Sequence, residues 1–576
     1  MNLNQFVNDE IKSVLGQYDL SGVAVSVPKD RSHGDFATNA AMVLSKPLGK
    51  SPREIAESIL PNIAALPFIA SADIAGPGFI NIKLKDSFIT KSITNYQLPI
   101  TNDPQTICLD YGSYNVAKSL HIGHARTSIV GDSFNRIAKF LGHKTIAYNH
   151  IGDWGRPMGL VIAYLEALHP NWPFWSADFD PSKINPTDYK ITAEDLDTLY
   201  PLASARAKDD SDFLAHAQQI TKEFQDGHPG YTAIYNIFLK TSLDMMDDII
   251  ARLNMMPFDK TLGERNAAEN VASVEKLLLE KNLLIKDDGA EIVIVKRDTD
   301  TAPMPPLMFN NSRGADTYGA TDLAALYYRK KTDNPDKVLY FTDLRQGLHF
   351  TQVFRTAEMI GLFDENQMEH IGYGTLNGKD GKPFKTRDGN VAGLLDIMIL
   401  TNLAVDERIK ESGKILDFET LRDIALAALK FNDLSHELKS DYVFDVDTLT
   451  SFEGKTGPYI LYTAVRLNKI IERAPRGEQR AEIKETLEKD ERNLLLCILD
   501  FNRVVQMAFE KRSPDILANY TYELCQMSNT FYHNCPVLRD DVPADIRAHR
   551  IAIVEKTVTT LTTAIDLMGL KIPNEM

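Results

Sequence analysis

One stretch constrains this chain more than any other. Thr106 to Tyr111 reads as a buried strand, Ile122 to Leu141 as a helix ended by Gly142 in the C′ place, and Lys144 to Ile151 as a second strand. A strand, a crossover helix and a strand of this length imply a parallel sheet, because a hairpin cannot join parallel neighbours. The helix opens on His121-Ile122-Gly123-His124. A helix N-terminus offers unpaired N–H groups and a partial positive charge, a natural seat for phosphate. Two imidazoles one turn apart add donors to a triphosphate, and Gly123 lets a flat base approach the backbone. Four such letters can also meet by chance; the strand–loop–helix setting favours the phosphate site.

The remainder divides by pattern. A chain of 576 residues predicts about three to five domains. The first segment, 1–104, reads as a small α+β unit. It has a helix over Asn2 to Gln17, an N-cap at Ser51-Pro52-Arg53-Glu54, and strands at Ala72 to Ala75 and Phe79 to Leu84. Residues 105–390 carry the βαβ pattern, with an acidic, aromatic helical insertion at about 166–270. Strands resume at Glu291 to Val295, Pro306 to Phe309, Val338 to Thr342 and His370 to Leu376, with helices at Thr321 to Lys330 and His349 to Gly361. Residues 391–450 and 451–576 read as helical almost throughout.

Composition excludes more than it selects. With 44 % hydrophobic and 25 % charged residues, the chain is neither disordered, collagenous nor coiled coil. A net charge of −16 argues against a generic nucleic-acid binder, yet one face can be basic while the rest is acidic. Cys108, Cys497, Cys525 and Cys535 show no C-x-x-C spacing, so no structural zinc is expected and a reducing compartment fits. The acidic start resembles neither a secretory signal nor a transit peptide. The run Val391 to Val405 is too short and too polar to span a bilayer.

Three further groups carry chemistry. Lys385-Thr386-Arg387, after Gly381-Lys382-Pro383-Phe384, is a basic loop that can clamp a leaving pyrophosphate; alone, it would more often be an exposed turn. Asn149-His150-Ile151-Gly152-Asp153-Trp154-Gly155 ends the second strand, where His150 can reach a substrate, while Asp153 and Trp154 suit a packed turn. Tyr459, Tyr462 and Arg466 share one helix face; they can stack splayed bases and grip phosphate, or form a core stripe with a snorkelling arginine.

The segment LDYGSYNVAKSLHIGHARTSIVGDSFNRIAKFLGH followed by YNHIGDWG resembles the ATP site of class I aminoacyl-tRNA synthetases, specifically the arginyl-tRNA synthetases of bacterial type. The likeness continues through HGDFATNAAMVLSKPLGKSPREIA, AGPGFINI, TYGATDLAALYY, FTDLRQGLHFTQVF, GKPFKTRDGN, KFNDLSHELKSDYVFD, SFEGKTGPYILYTAVRL, LANYTYELCQMSNTFYHNCPVL and LMGLKIPNEM. It implies a multidomain α/β protein with a Rossmann-like parallel-sheet catalytic domain. An N-terminal α+β domain would touch the tRNA elbow, the 391–450 region the tRNA stem, and an all-α C-terminal domain the anticodon. The implied reaction joins arginine to tRNA(Arg) through an arginyl-adenylate, with ATP and magnesium as substrate and no zinc. A cytoplasmic monomer is implied.

By motif position the resemblance gives His121, Gly123, His124, Lys118, Lys385 and Arg387 to catalysis, with Lys118 compensating for a degenerate signature loop. It gives Asp110, Asn115, Tyr318, Asp322, Gln346 and His150 to arginine. Asp322 is the first choice for the guanidinium, although on local grounds it could be an acid complementing a helix dipole. Tyr459, Tyr462, Arg466, Met576, Phe79 and Asn81 would touch tRNA, with Tyr522, Phe531 and Tyr532 in the core. The chain departs from the family at Tyr114 and Ser119, where proline is usual, and over Ser312 to Asp316. Another class I specificity would want a basic pocket or zinc ligands, and a non-catalytic tRNA-binding paralogue would be expected to have lost part of the H-I-G-H or K-T-R groups.

Overall fold

Asn2 opens the first helix, Leu3–Val14, by accepting the Gln5 N–H, and Leu3, Val7 and Ile11 bury one stripe of it. In this computed structural model, residues 2–28, 30, 33–97, 99–117, 120–176, 178–312, 314–382, 393–475 and 482–576 are described. Ser51 and Glu54 form the reciprocal capping box read from the sequence, starting the helix Pro52–Ala64. Strands β1 (Val25–Ser26), β2 (Phe36–Thr38), β3 (Ile69–Ala75) and β4 (Phe79–Leu84) pair antiparallel in the order β1-β2-β4-β3. Along β4, Ile80, Ile82 and Leu84 turn to the core; Phe79, 41 % exposed, and Asn81 share the other face.

This sheet belongs to one compact unit with the C-terminal helices: Met1–Thr101, Ser412–Ser435 and Thr450–Met576. The helices are Phe418–Leu434, Gly457–Arg473, Lys489–Glu510, Asp515–Asn534 and Ala544–Leu567. Arg492 ties the two parts together. It grips both oxygens of buried Asp35 at 2.5 and 2.6 Å, and also reaches Asp86 and the Leu84 carbonyl, each at 2.8 Å. A bidentate guanidinium–carboxylate pair fixes orientation as well as distance.

The second unit is Asn102–Glu411 with His436–Leu449. Its strands in chain order are β5 (Thr106–Asp110), β6 (Lys144–Ile151), β7 (Lys260–Gly263), β8 (Leu284–Asp287), β9 (Ala290–Val293), β10 (Leu307–Asn310), β11 (Lys337–Asp343), β12 (Met368–Tyr373), β13 (Leu376–Asn377) and β14 (Tyr442–Val443). Five of them form the parallel sheet β12-β11-β5-β6-β7. The helix Ile122–Phe140 crosses from β5 to β6 and ends before Gly142 at φ 94°. The order runs outward from β5 through β6 to β7, then returns to the other side of β5 as β11. That reversal makes a crevice at the carboxyl ends of β5 and β11, the place where α/β sheets bind ligands.

Two strand expectations are corrected. β7 lies within the stretch read as helical insertion, yet it is the edge strand of the main sheet. The strands at 290–293 and 307–310 do not resume that sheet: with β8 they form a separate antiparallel sheet, β10-β9-β8. Short apolar runs look alike whichever sheet they join. The turn Asp288-Gly289, both residues at positive φ, did carry a hairpin signal. The insertion before β7 is helical, with Ala193–Asp209, Ser211–Gln225 and Pro229–Arg252 as its long elements.

Behind the crevice sits a fully buried ion pair. Arg329, near the end of the helix Tyr318–Thr332, donates to Asp110 Oδ2 and to the Tyr340 hydroxyl, each at 2.5 Å. Its guanidinium lies 4.7 Å from the Tyr148 ring centre and 5.0 Å from that of Tyr340. The two charges come from residues far apart in the chain and meet at 0 % and 4 % side-chain exposure. Removing one partner of such a pair leaves the other charge buried alone, which costs about 3–5 kcal/mol. Arg329→Met should therefore lower the thermal midpoint on the order of 5–10 °C, and Arg329→Met with Asp110→Asn should recover part of the loss. Scanning calorimetry of the three proteins checks this; a single variant as stable as the parent would contradict it.

Candidate functional site

His121 is the N-cap of the helix Ile122–Phe140. Its Nδ1 accepts the Gly123 N–H at 3.1 Å, and His124 Nδ1 accepts the His121 N–H at 3.1 Å. An Nδ1 that accepts a backbone N–H puts the ring proton on Nε2 in the neutral imidazole. The ring centres are 3.9 Å apart at a 33° tilt. A Cβ on Gly123 would sit 2.9 Å from His121 Cε1, so only glycine lets this pair close. Tyr114, the departure from proline, is buried; it sets its ring against His124 at 5.9 Å and its hydroxyl 2.6 Å from Ser128 Oγ. In the same loop Ser113 (φ 54°) and Ala117 (φ 58°) hold left-handed backbone, a strain the surrounding packing maintains. Lys118, Lys385 and Arg387 lie outside the described residues.

A cavity of about 340 Å³ opens at the switch point, and five of the six residues assigned to arginine line it: Asp110, His150, Tyr318, Asp322 and Gln346. Asp110 ends β5, His150 lies near the end of β6, and Gln346 follows β11. Thr317 caps the helix Tyr318–Thr332 by accepting the Gly319 N–H at 3.1 Å, and it anchors that helix to β10 through the Phe309 carbonyl at 3.1 Å. Tyr318 and Asp322 then share a face one turn apart. The sixth residue, Asn115, is not among the lining residues. It bridges to Gly152, where a Cβ would come within 2.4 Å of Asn115 Oδ1. Gly152 is thus required by close approach. Asp153 and Trp154 belong to the turn: Asp153 is buried and accepts from Tyr235 at 2.6 Å and from the Arg265 N–H at 3.1 Å, and Trp154 packs on Phe224.

Among the described residues, no lysine or arginine lines the cavity. Asp110 keeps one carboxylate oxygen on Arg329; the other is buried without a partner. Asp322 Oδ2 meets His349 Nε2 at 2.6 Å. Glu264, just after β7, has its carboxyl pushed up to about 8 by burial first, then by the charges of Asp153 and Asp322. The acids outnumber the cations set against them, a balance that suits a cationic ligand. Sequence reasoning missed His349 and Glu264. The His349-Phe350 pair sits inside the quoted FTDLRQGLHFTQVF segment, so the signal for His349 was available; for Glu264 none was, because its neighbours Asp153 and Asp322 are remote in the chain.

The helix residues expected to touch tRNA lie in the first unit. The helix Gly457–Arg473 buries Ile460, Leu461, Ala464 and Leu467, and turns Tyr459, Tyr462 and Arg466 outward. Tyr462 is 43 % exposed. Tyr459 stacks near Tyr522 at 5.5 Å and its hydroxyl accepts from Asn529 at 2.8 Å; Arg466 lies 3.9 Å over Tyr532. Tyr522 and Tyr532 are therefore half-buried partners of this face rather than core, while Phe531 is core. Met576 is 9 % exposed, and its carbonyl accepts from Lys414 at 2.7 Å.

Comparison with known proteins adds an independent line. Residues 89–446 match the family model of tRNA synthetases class I (R), catalytic domain; residues 460–576 match the DALR anticodon binding domain; residues 1–84 match the arginyl tRNA synthetase N terminal domain. The chain is 37 % identical to an arginine–tRNA ligase of Alkaliphilus oremlandii, covering 97 % of each chain, and 36 % identical to one of Agathobacter rectalis, covering 94 % of each. Its fold is that of the arginyl-tRNA synthetase of Thermus thermophilus, with a TM-score of 0.82 at 21 % identity over the whole of both chains. The Plasmodium falciparum enzyme gives 0.80 at 23 %, over 100 % of this chain and 99 % of that one. The chain belongs to the arginyl-tRNA synthetases of class I.

Proposed function

We propose that this chain activates arginine with ATP, forming arginyl-adenylate and pyrophosphate, and passes the arginyl group to the 3′-terminal adenosine of tRNA(Arg). The observation that carries the reading is the cavity at the switch point: Asp110 and Asp322 line it, the described lining holds no lysine or arginine, and Glu264 lies close enough to Asp322 to feel its charge. A guanidinium answers Asp322 in planar contact, with Tyr318 one turn away on the same face. Asp110's unpartnered oxygen, Gln346 and Asn115 suit the amino end of the amino acid. His150 lines the same cavity.

The arginine carboxylate attacks the α-phosphorus in line and pyrophosphate leaves. No protein nucleophile is needed, so the chain's task is position and charge. His121 and His124 donate through Nε2 to the phosphates at the helix N-terminus. Lys118, Lys385 and Arg387 are assigned the growing charge on the leaving group by sequence position. Magnesium arrives with the triphosphate as part of the substrate, and no residue is given a role on it. Phe79 and Asn81 are assigned to the tRNA elbow, the 391–450 region to the stem, and Tyr459, Tyr462, Arg466 and the neighbourhood of Met576 to the anticodon. A monomer is the proposed working unit. The buried free thiols Cys108, Cys497, Cys525 and Cys535 suit the reducing cytoplasm.

The test is arginine-dependent ATP–pyrophosphate exchange, with and without tRNA and with the other amino acids as controls. Exchange with arginine alone is expected; equal exchange with another amino acid would overturn the specificity. Two variants sharpen it. Asp322→Ala should raise the KM for arginine about 100-fold, as expected for a lost charged hydrogen bond, and leave the KM for ATP within twofold. Unchanged arginine kinetics would break the pocket assignment.

Glu264 adds a pH dependence. Its carboxyl is protonated below about 8 in the empty site, and an incoming guanidinium favours the ionised form. Arginine binding near pH 7 should therefore release a proton, and affinity should rise between pH 6 and 8. Glu264→Gln should abolish the release measured by calorimetry in buffers of different ionisation heat. The sign for stability is opposite. A carboxyl raised in the folded state loses stability as pH climbs from its ordinary value towards 8, so the glutamine variant should gain thermal midpoint at pH 8 and none at pH 4. Proton release persisting in the variant would remove Glu264 from the site.

A further inference from the structure

Arg126 lies on the helix Ile122–Phe140, five residues beyond its N-cap His121, and is 2 % exposed. Its guanidinium is held by backbone carbonyls from two remote segments. Nη1 donates to Gly374 at 2.5 Å and to Ser440 at 3.2 Å, and Nη2 donates to Leu438 at 3.2 Å. The Tyr442 ring centre is 4.9 Å from its Cζ and that of Tyr373 is 5.9 Å away. The two segments are themselves stitched together. β13 pairs with β14, the Gly374 N–H reaches the Leu438 carbonyl at 3.0 Å, and the Thr375 N–H reaches Asp441 at 2.6 Å. A Cβ on Gly374 would lie 2.5 Å from the Ser440 carbonyl oxygen, so the backbones touch. β13 leads into a turn closed by the Gly378 N–H on the Lys382 carbonyl at 2.7 Å, and Lys379 pairs with Asp445 at 3.2 Å. Lys385 and Arg387 follow that turn in sequence.

We propose that Arg126 is a positioning residue for amino-acid activation: it locks the helix presenting His121 and His124 to the β13–β14 ladder, whose first strand precedes Lys385 and Arg387 in the sequence. The proposal rests on the function argued above. Arg126 fixes the helix that begins at His121 against the backbone around Gly374 and Ser440, and the Gly374 segment is the described chain that comes before Lys385 and Arg387 in sequence. A planar fork can serve carbonyls on both segments at once and stack on tyrosine; a lysine ammonium is a point charge that serves fewer. The arginine cavity shares no residue with this cage, so loss of Arg126 disturbs phosphate handling and spares arginine binding.

The experiment compares Arg126→Met and Arg126→Lys with the parent chain. Exchange kinetics give kcat and the KM for ATP, calorimetry gives arginine affinity without ATP, and a thermal melt reports folding. Misplacement by about 1 Å costs roughly 100-fold in rate. The methionine variant should lose about that much in kcat/KM for ATP while arginine affinity stays within twofold, and lysine should recover part of the rate. If the methionine variant does not fold, the lysine variant carries the test, with a smaller loss of the same pattern expected. Arginine affinity falling in step with exchange, or full exchange in a folded variant, would overturn the assignment. A parent chain without arginine-dependent exchange would instead overturn the underlying function.

Discussion

The site depends on one contact made where no water reaches, between Arg329 and Asp110. The pair costs several kcal/mol of desolvation for each ion and regains it only through good geometry and added hydrogen bonds. Here Arg329 has Asp110 on one side, the Tyr340 hydroxyl on another, and two tyrosine faces around it. The same helix carries Tyr318 and Asp322 near its start, so pinning its end to β5 sets where those side chains stand against Asp110. One oxygen of Asp110 is spent on Arg329, and the other is buried beside the cavity without a partner.

The cavity is electrostatically unfinished. Asp322 is shared with His349, and Glu264 is held protonated up to about 8 by burial and by the neighbouring acids Asp153 and Asp322. Such a site gives up stability in its empty state, as functional sites commonly do. A bound guanidinium supplies the missing charge. Recognition of that kind rejects ligands lacking the group strongly, because the buried acids would then stay unpaired. Discrimination can therefore sit in the binding step itself. The proposed phosphate site is separate: a helix N-terminus flanked by two imidazoles whose Nδ1 atoms accept backbone N–H groups.

Much of this was legible in the sequence because the signals are local. β6 has the predicted limits, the Ser51–Glu54 box forms as read, and the H-I-G-H histidines begin their helix. Tyr318 and Asp322 share a face because helical spacing dictates it. What escaped is nonlocal. Sheet membership of β7, β9 and β10 depends on partners that no short window shows. Arg329, Arg126 and Glu264 take their meaning from residues far away in the chain. Tyr522 and Tyr532 carry the apolar pattern of a core, yet stand beside Tyr459 and Arg466 at the edge of one. The resemblance named the arginine residues through motif position, and the fold gathers Asp110, His150, Tyr318, Asp322 and Gln346 around one space.

The most direct test of the central claim is a crystal structure of the chain with arginine bound. The account predicts the guanidinium within hydrogen-bonding distance of Asp322, near Glu264, and the amino group on the Asp110 oxygen that Arg329 leaves unpartnered, with the Arg329 contact unchanged. Arginine bound with its ends reversed, or outside the crevice between β5 and β11, would contradict it.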